Sequence, residues 1–278
     1  PATHEVPIEV TRQAREEGKG IFPPGGPLEG SDWTPLAHGN RVRLSPAAGR
    51  PRGIYFHVHG GGWSLGSPAY HDRENQEIAR ETGMSVVSVQ YRLAPENRWP
   101  AQIEDVLAGA DWVFTQWPDL PVVIGGESAG AHLAATALLA LRERGRIGRI
   151  AGAALNYGMY DLRMTASMAL WGPRKVILST PTVAWFLDNL LPPQADRADP
   201  AVSPLLASLQ GLPTALFQVG TADPLLDDTL MMAARWVGAG LAAELAVYPG
   251  GIHAFDKFDL TIARAFQARQ IAFLKACL

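Results

Sequence analysis

The sequence predicts an α/β protein in which helices flank a mostly parallel, doubly wound sheet. Short runs rich in β-branched residues alternate along the chain with segments that have helical spacing. Most of these runs are apolar almost throughout, which is typical of strands buried on both faces of a parallel sheet. The regular alternation favours right-handed crossovers between neighbouring strands.

Six segments have the composition of buried strands. They are Gly53–His59, Ser85–Tyr91, Val122–Gly126, Ile150–Asn156, Ala215–Gly220 and Ala243–Tyr248. Five further segments repeat apolar residues every three or four positions, as amphipathic helices do. They are Val6–Glu17, Ala101–Gln116, Ala131–Arg144, Leu225–Val237 and Ile262–Leu278.

Two regions interrupt the alternation. The first is the N-terminal stretch 1–35, which combines one helical segment with a Pro/Gly-rich connector. The second is 157–211, which is several times longer than the roughly dozen residues that a crossover needs. We expect an insertion of this length to form a lid or binding element, although covering one sheet edge is the alternative.

Composition excludes several classes of protein. The 278 residues carry a net charge of −3, so neither nucleic acid nor an anionic membrane is an expected partner. The single cysteine, Cys277, cannot form an intrachain disulfide and favours a reducing, cytoplasmic setting. No apolar run is long enough to span a membrane, and the polar N-terminal stretch predicts no signal peptide. The length fits one large domain with an insertion.

A nucleophile motif of the form G-x-S-x-G occurs at residues 126–130, with Ser128 at its centre. It lies between an apolar run and an alanine-rich helical segment, the strand–turn–helix context that the motif requires. Small residues on either side allow the sharp turn that exposes the serine hydroxyl. The N–H group of Ala129 would then lie at a helix N-terminus, which favours anions.

Three consecutive glycines follow the first predicted buried strand, in the sequence His-Gly-Gly-Gly-Trp at 59–63. Backbone N–H groups can converge on one point where no Cβ atoms obstruct them, as an oxyanion hole requires. We therefore expect the N–H groups of Gly61, Gly62 and Ala129 to stabilise an oxyanion. The absence of G-K-[ST] and of G-x-G-x-x-G argues against a phosphate site here.

An activated serine needs a general base and a group that orients it. His253 follows the last predicted strand and precedes the last helix, and Asp223 follows the preceding strand, so both fit the order Ser–Asp–His. Asp227 and Asp228 are interpreted instead as solvated charges at a helix N-terminus. His57 and His59 could share a strand face as metal ligands, but no further ligand stands at a suitable spacing, so no metal is predicted.

These motifs together resemble the hormone-sensitive-lipase-type esterases of the α/β-hydrolase superfamily. The resemblance rests on HGGGW, YRLAPE, GESAG, DPLLDD and GGIHAF at 59–63, 91–96, 126–130, 223–228 and 250–255. It implies an eight-stranded α/β-hydrolase core without a cofactor that hydrolyses small-molecule acyl esters of short to medium chain length. Ser128, Asp223 and His253 match the family's triad, and Gly61, Gly62 and Ala129 match its oxyanion donors.

The resemblance also divides the chain. A small helical cap is expected from 1–35 and 157–211, and the hydrolase core from 36–156 and 212–278. The family often forms homodimers, so a homodimer is possible. GESAG also resembles the elbow of arylformamidases, which makes an N-formyl amide the alternative substrate, and Glu127 stands where the family more often has aspartate.

Bulky apolar residues near the motifs are candidates for the substrate pocket. Trp63 follows the glycine loop, whereas Met159 and Trp185 belong to the insertion. Their size would restrict the acyl group to roughly two to eight carbons. They could equally form the core of the cap, because large side chains at helical spacing are commonly buried.

Overall fold

The computed structural model describes residues 2–22, 25–36 and 40–278. Within these residues, eight strands form a single sheet. They are β1 (Asp32–Pro35), β2 (Arg41–Ser45), β3 (Ile54–Val58), β4 (Ser85–Gln90), β5 (Val122–Glu127), β6 (Ile150–Asn156), β7 (Ala215–Ala222) and β8 (Ala243–Ile252). The spatial order is β1-β2-β4-β3-β5-β6-β7-β8, and only the β1–β2 and β2–β4 pairs are antiparallel.

Eight α-helices accompany the sheet in the described part of the chain. They are α1 (Ile8–Glu16), α2 (Asp72–Thr82), α3 (Ala101–Gln116), α4 (Ala129–Glu143), α5 (Ala166–Ala169), α6 (Thr180–Leu190), α7 (Leu226–Gly238) and α8 (Thr261–Ala276). Helices α3, α4 and α7 contribute to the larger apolar core, and α2 and α8 contribute to a second core. The predicted mostly parallel, eight-stranded sheet flanked by helices is confirmed.

All six strands predicted from composition are present, and β5 and β6 follow their predicted bounds within one residue. The short strands β1 and β2 do not form apolar runs, because they lie at the antiparallel edge and contain exposed charged residues. Helix α2 was also not predicted, since most of its eleven residues are polar. None of the described helices is long and apolar enough to cross a lipid bilayer.

The register of the central strands determines where the motifs meet. Strands β3 and β5 pair in parallel and are entirely buried, and Val58 lies opposite Gly126. The glycine loop after β3 and the serine turn after β5 therefore emerge side by side. Strands β7 and β8 are also parallel neighbours, which brings the loops that carry Asp223 and His253 to the same edge of the sheet.

Candidate active site

Ser128 occupies a sharp turn between the end of β5 and the start of α4. Its φ of +55° lies in the left-handed region, which costs a non-glycine residue about 1–3 kcal/mol. A Cβ atom on Gly126 or on Gly130 would collide with the carbonyl oxygen of Val58. The two glycines of the motif thus allow β5 and α4 to pack closely against β3.

Ser128, His253 and Asp223 form a continuous hydrogen-bonded chain. The Nδ1 atom of His253 lies 2.9 Å from Oδ2 of Asp223, and its Nε2 atom lies 2.9 Å from Oγ of Ser128. A carboxylate only accepts hydrogen bonds, so Nδ1 carries the proton and Nε2 is free to accept from the serine hydroxyl. Asp223 is buried, and its other oxygen accepts a 2.8 Å bond from the N–H of Leu225.

The glycine loop after β3 adopts a conformation that side chains would obstruct. Gly61 and Gly62 have φ angles of +121° and +59°. A Cβ atom on Gly61 would meet the backbone of Leu65, and one on Gly62 would meet the ring of Phe186. The N–H groups of Gly61 and Gly62 donate to no group among the described residues, and that of Ala129 is a free N–H at the start of α4.

A cavity of about 620 Å³ adjoins Ser128, His253 and the glycine loop. Its size is in the range of sites for small organic molecules. The N-terminal stretch and the insertion both contribute apolar side chains to its lining, which include Ile21, Phe22, Ile177, Leu178 and Phe186. The arrangement places an open, partly apolar cavity next to a serine hydroxyl that can lose its proton to histidine.

Known proteins share this architecture and parts of its sequence. A family profile described as the alpha/beta hydrolase fold matches residues 55–257. The chain belongs to this hydrolase family. A carboxylic ester hydrolase, LipN, from Mycobacterium tuberculosis is 35% identical over 222 residues, which cover 76% of this chain and 59% of LipN. The chain thus corresponds to about three fifths of that relative's length.

Solved structures match nearly all of the given chain. An esterase from Pyrobaculum calidifontis superimposes with a TM-score of 0.88 at 30% identity, over 98% of this chain and 94% of the esterase. A hormone-sensitive lipase from a metagenome library gives a TM-score of 0.85 at 27% identity, over 99% and 94% of the two chains. The resemblance to hormone-sensitive-lipase-type esterases is confirmed.

Glu127, the residue before the nucleophile, connects the two loops of the hydrolase site. Its Oε1 atom accepts a 2.7 Å hydrogen bond from the N–H of Gly60, and its Oε2 atom lies 2.9 Å from Nε2 of His57. The Nδ1 atom of His57 in turn lies 2.8 Å from the hydroxyl of Ser88. Composition and spacing did not predict this contact, which follows only from the pairing of β3 with β5.

The same carboxylate lies in a buried network of charges. His71 Nε2 is 3.4 Å from Glu127, and Lys257 Nζ is 3.4 Å from both His71 and Glu74. Burial alone would raise the pKa of Glu127, but the imidazoles of His71 and His57 and the ammonium group of Lys257 together hold it well below its usual range. Burial holds the pKa of His71 well below its usual value, so its ring is neutral near pH 7.

His57, His71 and Glu127 are close enough to suggest a metal site. One ligand atom of each lies within 4.8 Å of the others, although no further ligand stands at a suitable sequence spacing from His57. His71 is distant in sequence and approaches only through the fold. However, these atoms are engaged in hydrogen bonds, and the ammonium group of Lys257 already supplies a positive charge beside them.

The three predicted pocket residues lie elsewhere. In the described part of the chain, Trp63, Met159 and Trp185 do not line the cavity beside Ser128. Trp63 and Met159 are buried in the main core, and Trp185 packs against Phe186 with ring centroids 5.2 Å apart. The alternative interpretation as core residues holds for Trp63 and Met159, whereas Trp185 is half-buried.

Two histidines near the glycine loop, His59 and His132, make structural contacts. His59 donates a 2.8 Å bond to the carbonyl of Gly60 and stacks on Tyr91 with ring centroids 4.2 Å apart, so it braces the glycine loop. Burial lowers the pKa of His59 to about 4. His132 accepts a 3.1 Å bond from the indole of Trp63 and donates to the carbonyl of Val202.

Asp228 is fully buried, so its interpretation as a solvated charge was wrong. Its carboxylate accepts bonds from the N–H groups of Tyr160 and Asp161 and from the hydroxyl of Thr165. These residues begin the insertion, and helix α7 therefore fixes its start. Burial raises the pKa of Asp228 to about 7 in spite of these hydrogen bonds.

Proposed function

We propose that this chain is a serine carboxylesterase that hydrolyses short- to medium-chain acyl esters. The observation that carries the proposal is the hydrogen-bonded chain from Asp223 through His253 to Ser128, which opens onto the cavity. The names of the related esterases agree with this chemistry.

In the proposed reaction, His253 Nε2 takes the proton of the Ser128 hydroxyl as Oγ attacks the ester carbonyl. Asp223 holds the imidazole in the required tautomer and stabilises the imidazolium that forms. His253 then gives its proton to the departing alkoxide, and an alcohol leaves the acyl-enzyme. A water molecule, deprotonated by His253, attacks the acyl carbon, and the carboxylic acid leaves as Ser128 regains its proton.

The oxyanion of each tetrahedral intermediate would be bound by the N–H groups of Gly61, Gly62 and Ala129. These groups have no other acceptor among the described residues, and α4 directs the positive end of its dipole to the same place. In related sites the loss of one donor slows catalysis by about 10²–10³-fold.

We propose further that 1–35 and 157–211 together form a cap over this site, attached to the core segments 36–156 and 212–278. Support comes from contacts between the two parts: His4 Nδ1 is 2.9 Å from Thr182 Oγ1, and Lys175 pairs with Glu5. Both parts line the cavity. Their apolar side chains would bind an acyl chain of limited length.

A substrate panel tests this proposal. p-Nitrophenyl esters from acetate to dodecanoate, and an N-formylkynurenine-type amide, are assayed with the wild-type chain and with Ser128→Ala. We expect the highest kcat/KM on short to medium esters and loss of activity in the variant, with the exposed Ser208→Ala as a control. Near-wild-type activity of Ser128→Ala would contradict the mechanism, and preference for the formyl amide would identify an arylformamidase.

A homodimer is a further proposal about the assembly. Strand β8 lies at the end of the sheet and exposes Leu245 and Val247, so a second copy could pair along it. Light scattering should give about twice the 29.9 kDa of one chain. Val247→Lys should give the mass of a single chain. A single-chain mass for both the wild type and the variant would contradict the proposal.

The proposed location is the cytoplasm. Support comes from the lone cysteine, Cys277, which is partly buried and free. Proteins of oxidising compartments commonly use paired cysteines. Fractionation of the native cells with antibody detection tests the location, and recovery in an extracytoplasmic fraction would contradict it.

A further inference from the structure

Two arginines three residues apart project from α1 toward the glycine loop, but only one of them has partners. Positions i and i+3 share a helix face, so Arg12 and Arg15 are neighbours on α1. Arg12 donates to the carbonyls of Ser64 and Ala94 at 2.9 Å each and forms an ion pair of 2.7 Å with Glu96. Helix α1 is thereby fixed against the loop that follows the proposed oxyanion donors.

Arg15 lines the same cavity as Ser128 and His253. Its guanidinium forms no hydrogen bond or ion pair with any described residue, and its Cζ atom lies 5.6 Å from the centroid of the Phe22 ring. The residues outside the described ranges include no aspartate or glutamate that could neutralise it. Arg15 is only partly exposed.

Among the described residues, the other cations that line the cavity are Lys257 and Arg73. Lys257 is matched by Glu74 at 3.4 Å and by Asp256 at 3.5 Å. Arg73 is an exposed cation at the same cavity, and it too has no ion pair among the described residues. Desolvation lowers the pKa of Arg15, yet an arginine remains charged at any physiological pH. Acidic side chains, among them Glu16 and Glu77, also line the cavity, but none of the described ones forms an ion pair with Arg15.

We propose that Arg15 binds a carboxylate group carried by the ester substrate, an inference that rests on the proposed esterase function. A guanidinium and a carboxylate form two parallel charge-assisted hydrogen bonds, which neutral ester groups cannot reproduce. A single guanidinium also matches the single charge of a carboxylate. The preferred substrates are thus half-esters of dicarboxylic acids or esters of carboxylate-bearing alcohols.

Two matched pairs of esters test the proposal on both sides of the scissile bond. On the acyl side, mono-p-nitrophenyl adipate is compared with p-nitrophenyl hexanoate, which replaces the carboxylate with a methyl group. On the alcohol side, p-acetoxybenzoate is compared with p-tolyl acetate. The measured quantity is the ratio of kcat/KM for the anionic ester to that for its neutral partner, so effects common to both esters cancel.

For at least one pair, we expect Arg15→Gln to lower this ratio by about 10- to 100-fold, the range for hydrogen bonds to charged groups. Arg15→Lys should lower it less. The control is Arg50→Gln, which removes an exposed arginine in the loop before β3 and should leave the ratio unchanged. Raised salt should reduce the ratio of the wild-type chain.

The possible failures are distinguishable. Hydrolysis of the neutral esters with ratios that Arg15→Gln does not change in either pair would overturn the role of Arg15 and leave the esterase function intact. If the wild-type chain cleaved none of the four esters, the esterase function itself would be overturned, and the inference about Arg15 with it.

Discussion

Glu127 accepts, through Oε1, a 2.7 Å hydrogen bond from the backbone N–H of Gly60. The bond joins the residue before the nucleophile to the first glycine of the oxyanion loop. The other oxygen of the same buried carboxylate is held by His57. The relative position of Ser128 and the glycine loop therefore depends on this side chain as well as on the pairing of β3 with β5.

Glu127→Ala should lower kcat by about 10–100-fold, somewhat less than the loss of a whole oxyanion donor. KM should change little, because the apolar lining of the cavity stays in place. Glu127→Gln should lower kcat much less, since its amide oxygen can accept from Gly60 and its amide nitrogen can donate to His57. Steady-state kinetics on a neutral p-nitrophenyl ester measure both effects.

The control for Glu127 is Glu143→Ala, which truncates an exposed glutamate at the end of α4. Wild-type kcat in Glu127→Ala would contradict the positioning role. Equal losses in the Ala and Gln variants would mean that the negative charge, and not the hydrogen bond to Gly60, is what the site requires.

Phe186 and Trp185 are adjacent on α6. Of these two described residues, only Phe186 lines the cavity. Its ring touches the space that a side chain on Gly62 would occupy. Phe186→Ala should therefore lengthen the acyl site and raise kcat/KM for decanoate relative to butyrate. Trp185→Ala removes a larger ring in contact with Phe186 and should leave this preference close to the wild type.

The test is kcat/KM across a series of p-nitrophenyl esters of increasing length. A similar shift in both variants would mean that α6 as a whole sets the chain length. No shift in Phe186→Ala would place the acyl chain elsewhere in the cavity.

Trp63 should act through packing, since it is buried and its indole donates to His132 at 3.1 Å. Trp63→Phe keeps an aromatic ring but leaves His132 without its donor. The free energy of unfolding should fall by about 1–3 kcal/mol, the cost of an unsatisfied buried polar group. Urea denaturation measures this change, while the acyl-length preference should stay the same. An altered acyl-length preference without loss of stability would show that Trp63 contributes to the substrate pocket.

The sequence predicted those parts of the fold and site that depend on local pattern. The serine turn, the glycine loop and the loops of Asp223 and His253 each follow an apolar strand, so their shared edge could be inferred from strand–helix alternation. Contacts across the sheet could not be inferred in this way. His57 and Glu127 meet because Val58 pairs with Gly126, and a pairing register leaves no mark in one sequence.

Side-chain direction is the second limit. Phe186 and Trp185 have similar character and adjacent positions, so only the packing of α6 decides which one faces the cavity. Arg12 and Arg15 differ in the same way, since one is fully paired and the other is not. Asp228 was misjudged because acids in the first turn of a helix are commonly solvated, whereas this one is covered by the insertion.

Asp228 also predicts how stability depends on pH. Its pKa is raised to about 7 in the folded chain, above the value of about 3.9 for an unfolded aspartate. Between these values the folded state binds more protons than the unfolded state. The contribution of Asp228 to stability is therefore greatest at or below about pH 4 and is lost as the pH rises toward 7.

Asp228→Asn removes this titration and can keep the hydrogen bonds. The amide oxygen can accept from the N–H groups of Tyr160 and Asp161, and the amide nitrogen can donate to Thr165, whose hydroxyl also accepts. The stability of the variant relative to wild type should therefore increase between pH 5 and pH 7, by up to about 1.4 kcal/mol per pH unit. Urea denaturation at a series of pH values measures this difference.

Asp228→Ala should lower the free energy of unfolding by about 3 kcal/mol or more, because it leaves buried N–H groups without an acceptor. If the free energies of unfolding of Asp228→Asn and of the wild type differ by the same amount at every pH, Asp228 does not titrate in this range.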